Sequence, residues 1–267
     1  MPARAMPESA TPARFERPGA LRLVLYLLVV LTVVSSLEGA EISLSKLVAG
    51  VPRFFDMVAR MLPPDGSRLE AILGRLLETF QMAVAGTVIG VVLSLPLAVL
   101  STWRHTPHPI VYHATRALVA LFRTVPDLVW ALLFVIAVGL GPFAGTLALV
   151  ADTIGFCGRF FAEAMEEAEE GPQEALTALG ASRLGVVASA VIPAALPSMI
   201  NSSLFALERA VRSSVVLGLV GAGGIGIELK VAFDMFQYDL AGTIILAIFV
   251  LVLAVERLSA WARRRII

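Results

Sequence analysis

Six long apolar runs decide the fold class of this chain before any motif is considered. Hydrocarbon about 30 Å thick offers backbone amides and carbonyls no partners, so a crossing segment must pair them internally, as a helix of about 20 apolar residues does. Runs of that length, or close to it, occupy residues 21–37, 73–102, 117–140, 143–161, 184–219 and 239–262. The second and fifth exceed one span and are expected to tilt or to project beyond the bilayer. Composition agrees: 58% of residues are hydrophobic, 16% are charged and the mean hydropathy is +0.85, far from a soluble domain. The expected fold is all-α, a polytopic membrane protein with six transmembrane helices.

Within that frame, residues 1–20, rich in Pro, Ala and Arg, are expected to form a disordered cytoplasmic tail. The run at 21–37 is short enough to suit a signal-peptide core, with Ser35-Ser36 as a cleavage region. Retained, it is the first transmembrane helix, and both termini then lie on the same side. Lys and Arg concentrate in short cytoplasmic loops, and placing both termini inside puts twelve of the 21 basic residues there. They are Arg4, Arg14, Arg17, Arg22, Arg104, Arg116, Arg159, Arg183, Arg257 and Arg263 to Arg265. Six fall outside: Lys46, Arg53, Arg60, Arg68, Arg75 and Lys230. The outer segment, 38–72, repeats Leu44, Leu47, Val48, Val51, Phe55, Val58 and Leu62 at helical spacing among charged residues, the pattern of an amphipathic helix lying on an interface and bent near Pro52.

The densest polar stretch, 163–183, joins the fourth and fifth spans. Gly171-Pro172 breaks one helix, and Pro172 suits the first turn of the next. Gly180 can close that short helix in the left-handed conformation, and Ser182 can cap the long helix that follows. Glu174-Ala175-Leu176, then Gly180, then Ala190-Val191-Ile192-Pro193 resembles the E-A-A, G, I-x-L-P signature of permease subunits in binding-protein-dependent ABC importers, with Leu176, Ala190 and Ile192 departing from it. Further stretches from about Leu118 onward, Arg123-Thr-Val-Pro-Asp-Leu-Val-Trp, Gly139-Leu-Gly-Pro-Phe-Ala-Gly and Glu208 through Arg212-Ser-Ser to Gly226, look like the phosphonate-type permease family. The methionine-type permeases share part of this pattern and form the alternative.

The resemblance implies a type I ABC importer permease whose core, with a methionine-permease-like fold, spans 73–267 in five helices. It implies that the 163–183 loop docks on a cytoplasmic ATPase, with Glu174 as a polar contact, Ala175 and Ala178 allowing close approach, Gly180, Ala181 and Ser182 forming the turn, and Pro193 beyond it. The implied assembly is a homodimer of this chain, two ABC ATPase subunits and an extracytoplasmic substrate-binding protein, in a bacterial inner membrane. The implied cargo is phosphonate, phosphite or phosphate. The chain contains no G-x-x-x-x-G-K-[ST] phosphate loop, so ATP and Mg would be bound by the partner ATPase; this chain is expected to need no cofactor and to perform no covalent chemistry.

Charged residues inside spans are costly and mark function. Glu208 and Arg212, four apart, can pair on one helix face; Arg209, Asn201, Ser213 and Ser214 add polar groups to the same helix, and guanidinium forks match anionic oxygens. These residues are candidates for a translocation path. Arg123, grouped with them, is also expected to pair with Asp127 across Pro126. Gly86 and Gly90 permit close helix packing, within the chain or between two copies. Gly221, Gly223 and Gly226 spell a dinucleotide fingerprint, but no β-α-β unit surrounds them; with Gly224 they are read as a flexible external gate. A membrane-embedded enzyme is the remaining rival, and it lacks a nucleophile, base or metal constellation. The single Cys157 excludes an internal disulfide, no Cys/His spacing suggests a metal, and zero net charge gives no bias toward nucleic acid.

Overall fold

A computed structural model describes residues 19–266; residues 1–18, most of the expected disordered tail, lie outside them. The chain divides into two compact units, 1–56 and 57–267. The first contributes α1 (Ala20–Gly39) and the start of α2 (Leu44–Arg60). Helix α1 is long and apolar enough to cross a membrane. Helix α2 is amphipathic and runs through Pro52 as one element.

The second unit holds α3 (Leu69–Leu100), α4 (Pro109–Thr124), α5 (Asp127–Val138), α6 (Pro142–Glu166), α7 (Glu170–Ala178), α8 (Arg183–Val186), α9 (Ile192–Gly218), α10 (Ile225–Asp234) and α11 (Tyr238–Ile266). All regular structure among the described residues is helical, so the dinucleotide reading has no strand to stand on. Helices α3, α6 and α11, and the continuous rod from α8 through α9, each suffice to cross a membrane. With α1 they make five spans, and the α4–α5 pair makes a sixth when its two bent halves are taken as one span.

That sixth span corrects the sequence reading, which runs one helix through 117–140. The segment begins earlier, at Pro109, where the His108 ring nitrogen caps it by accepting from the Ile110 amide at 3.1 Å. It then breaks at Val125-Pro126 and turns through 92°. The proline ring disfavours helical backbone in the residue before it, and Val125 is accordingly extended, at φ −76° and ψ 122°. The turn carries Asp127 away from Arg123, so the expected pair does not form; Asp127 instead accepts from the Leu128 amide at 2.8 Å.

Lipid removes most of the hydrophobic gain from helix association, leaving close packing and internal polar contacts to hold a bundle together. Helices α3 and α6 meet along small residues. A Cβ placed on Gly86 would lie 2.6 Å from Leu149 Cβ, and one on Gly90 would lie 2.5 Å from Thr153 Cβ. The G-x-x-x-G therefore serves packing within the chain. Around this seam, buried Cys157, Phe161, Met165 and Val191 fill one end of the bundle, Leu149, Val211 and Leu217 its middle, and Ile72, Ile225 and Ile244 the other end. Two buried hydroxyls on α3 bond back to their own helix, Ser94 to Gly90 at 2.7 Å and Thr79 to Arg75 at 2.9 Å, whereas that of Thr87, buried on the same helix, has no partner among the described residues.

Candidate functional site

At the end of the bundle where α3 and α6 finish, the polar loop folds as its capping residues dictate. Helix α7 starts at Glu170, two residues before Pro172, and ends in a reciprocal turn: the Gly180 amide donates to Thr177 and the Ala181 amide to Leu176, each at 3.0 Å. This pattern needs a left-handed residue, and Gly180 has φ +81°. Ser182 then caps α8, accepting from the Gly185 amide at 3.2 Å. Pro193 cannot donate a backbone bond, and the turn just before it widens into a π segment, Val187–Val191, inside an otherwise continuous rod.

One contact from the 101–108 loop braces α7, and others fix the segment that leads into it. Arg104 pairs with Glu170 at 2.6 Å; the bond and opposite charge hold the Glu170 carboxyl below its ordinary value and raise Arg104. Arg116 pairs with Glu166 at 3.2 Å, and the buried Gln173 amide donates to the Ala168 and Glu169 carbonyls. Glu174, Ala178 and Ala181 line a cleft of about 480 Å³ shared with Arg104, His105 and Arg183. Ala175 and Leu179 face the other way, and Leu179 is 84% exposed. The structure thus gathers Glu174 through Ser182 on one projecting element, while Pro193 belongs to the rod behind it.

Inside the spans, ion pairs join helices instead of running along them. Glu208, expected to pair with Arg212, lies 2.8 Å from Arg263 of α11, although the angle there does not make a hydrogen bond. Arg212 bonds Glu256 of α11 at 2.8 Å. Arg209 bonds Asp152 of α6 and stacks over the Phe156 ring, 5.1 Å from its centroid. The antiparallel approach of α9 and α11 makes the cross-helix partners nearer than the i,i+4 one. Asp152 and Glu256 are functional candidates that the motif reading missed; a carboxylate inside an apolar run is the signal that could have found them.

Asn201, Phe205, Arg212 and Val216 are exposed and Arg209 half-buried, and their spacing sets them on one stripe of α9. Ser214 is buried, with its hydroxyl turned to the Val211 carbonyl, and Ser213 is half-buried. Arg123 stands apart: it has no ion-pair partner among the described residues and lines a different cleft with Arg116 and Arg159.

The glycine run differs from the flexible stretch expected of it. Gly221, Gly223 and Gly224 have φ of +86°, +90° and +78°, which reverses the chain after α9 and starts α10. The run is packed, however. The Gly224 amide donates to Glu78 at 3.0 Å, the Ile225 amide to Thr79 at 2.7 Å and the Gly141 amide to the Gly221 carbonyl at 3.0 Å. A Cβ on Gly223 would lie 2.6 Å from Pro142 Cα, and one on Gly226 2.8 Å from Gly218 Cα. Glycine is required here because backbone meets backbone on both sides.

Apolar helices crossing a membrane, charges paired across them at depth and a short polar helix projecting from one end place the chain among multi-pass membrane permeases. Residues 90–267 match the family described as binding-protein-dependent transport system inner membrane component, and the chain belongs to that family. It is 40% identical over 209 residues to the phosphate-import permease protein PhnE of Mycolicibacterium smegmatis, an alignment covering 78% of this chain and 39% of that protein's length. It is 39% identical over 219 residues to the putative phosphite transport system permease protein HtxC of Stutzerimonas stutzeri, covering 82% of this chain and 78% of that one. An inward-facing structure of the MetNI methionine ABC transporter superposes with a TM-score of 0.67 at 24% identity, over 76% of this chain and 100% of that one; this likeness shows the fold.

Proposed function

We propose that the chain is the permease subunit of an ATP-driven type I ABC importer that carries phosphonate, phosphite or phosphate by alternating access. The observation that carries this reading is the α9 stripe: Arg209 and Arg212 lie on a face that no helix among the described residues covers fully. Lipid is a poor neighbour for two guanidinium groups. A water-filled cavity between two copies of the chain, related by a two-fold axis, satisfies them. Each arginine spends part of its fork on one carboxylate and keeps further N–H donors for a passing oxyanion. The names of the relatives support that anion class. Methionine is the second reading, carried by the part of the sequence pattern that methionine-type permeases share.

In this assembly two cytoplasmic ATPases bind ATP and Mg²⁺ and dock against Glu174, Ala175, Ala178 and the Gly180 turn. A substrate-binding protein engages the opposite end, and both termini lie in the cytoplasm of a bacterial cell. The packed glycine turn Gly221–Gly226 ties the outer ends of α3, α6 and α9 together, so a gate there moves as a unit. Uptake by proteoliposomes holding the complex tests the path: Arg212→Ala should lower oxyanion uptake while the ATPase still co-purifies. Normal uptake by a normally expressed variant would remove Arg212 from the path, and uptake of methionine alone would transfer the reading to the alternative.

A further inference from the structure

We infer that a cleft between α4 and α6 binds a phosphate group, borne either by an anionic lipid or by a free phosphorus oxyanion. The cleft, of about 320 Å³, has a floor of small and apolar residues and a rim of Arg116, Arg123, Arg159, Glu163 and Ser101. Three guanidinium groups face one carboxylate. Arg159 is matched by Glu163 at 2.6 Å, and Arg116 by Glu166, which lies outside the cleft. Arg123 has no carboxylate within ion-pair distance among the described residues, because the 92° turn after it takes Asp127 away.

A second, independent feature lies in the lining of the same cleft. Ser101 is 2% exposed, and its hydroxyl has no hydrogen-bond partner among the described residues. A buried hydroxyl left unpaired is destabilising, and an acceptor oxygen in the cleft would satisfy it. Phosphate supplies such acceptors, and its charge matches the unpaired guanidinium.

The depth of the cleft suits a headgroup. Next to it, Trp103 packs on Tyr112 at 5.0 Å between ring centroids, and Arg116 lies 4.8 Å over the Tyr112 ring. Such amphipathic rings collect at the membrane–water interface, where basic pockets between helices hold lipid headgroups. Leu118 and Leu121 of α4 and Phe160 of α6 are exposed around the cleft and would border acyl chains. No α9 residue lines it, so the site is separate from the proposed path.

The test is thermal unfolding of the purified transporter complex in neutral detergent, titrated with dihexanoyl phosphatidylglycerol, with inorganic phosphate and with a short-chain uncharged glycolipid. A ligand that binds only the folded state raises Tm saturably. The expected result is a saturable rise with at least one of the two phosphate compounds and none with the glycolipid. Arg123→Gln should weaken that response at least ten-fold, Ser101→Ala about three-fold, and Arg123→Lys less than Arg123→Gln. Arg123→Gln breaks no ion pair seen in the chain, so it should fold. A rise with phosphatidylglycerol alone assigns a lipid; a rise with phosphate alone assigns the free oxyanion. Arg212→Ala should leave the response in place, which separates this cleft from the α9 arginines. No saturable rise with either compound, or a rise that Arg123→Gln leaves unchanged, overturns the inference.

Discussion

Replacing Gly180 by Ala isolates the proposed coupling element with little disturbance elsewhere. A Cβ at this position meets nothing within 4 Å, so the substitution adds no clash. Its cost is the backbone conformation, since φ is +81° and a left-handed L-residue costs roughly 1–2 kcal/mol. Helix α7 is nine residues long, too short to persist by propensity alone, so the strain is released locally by opening of the terminal turn. A loss of 1–2 kcal/mol lowers the ratio of closed to open turn by roughly 5–30-fold, and where the open turn then predominates the docking-competent fraction falls nearly as far. With the ATPase below saturation, its binding to the permease and its substrate-stimulated hydrolysis should fall by a comparable factor, while the melting temperature of the permease hardly changes. Gly180→Asn, whose side chain tolerates the left-handed region better, should recover part of the loss. Equal stimulation in wild type and Gly180→Ala, or Asn performing no better than Ala, would refute the reasoning.

Other consequences can be read from stability and pH. Arg263→Ala leaves the buried Glu208 carboxylate without its cation and should cost about 3 kcal/mol, somewhat less where water reaches Arg263, whereas Glu208→Gln should cost less; thermal melts in detergent compare them. Gly226→Ala drives a methyl group into the Val215 carbonyl and Gly218 and should destabilise by about 3 kcal/mol or more, seen as poor yield and a lower Tm. His105 is held below its ordinary value of 6.5, first by burial and then by the charge of Arg104. The unfolded chain therefore takes up a proton before the folded one does, so stability is whole above about pH 6.5 and declines as pH falls through the lowered value. In His105→Gln that part of the slope should vanish from Tm measured against pH.

The spans were legible because lipid forces each to satisfy its own backbone, which leaves uninterrupted apolar runs. The caps of the 163–183 loop were legible because Gly180 and Ser182 act on neighbours in sequence. The break at Pro126 was hidden: hydrophobicity continues across it, although the proline itself carried the signal. The ion pairs were hidden for another reason. Spacing rules see Glu208 and Arg212 on one helix, but Arg263, Glu256 and Asp152 reach α9 only once α6 and α11 pack against it. The glycine run showed where the chain turns; that Glu78, Thr79 and Pro142 enclose it depends on contacts more than 70 residues distant in sequence.

The most direct measurement is ATP-dependent uptake of phosphite, phosphate, methylphosphonate and methionine into proteoliposomes containing this chain, its ATPase and its substrate-binding protein. The account predicts uptake of one or more of the phosphorus oxyanions that requires the binding protein and is lowered by Arg212→Ala. Uptake of methionine with no oxyanion transported, or oxyanion uptake indifferent to Arg209→Ala and Arg212→Ala together, would contradict it.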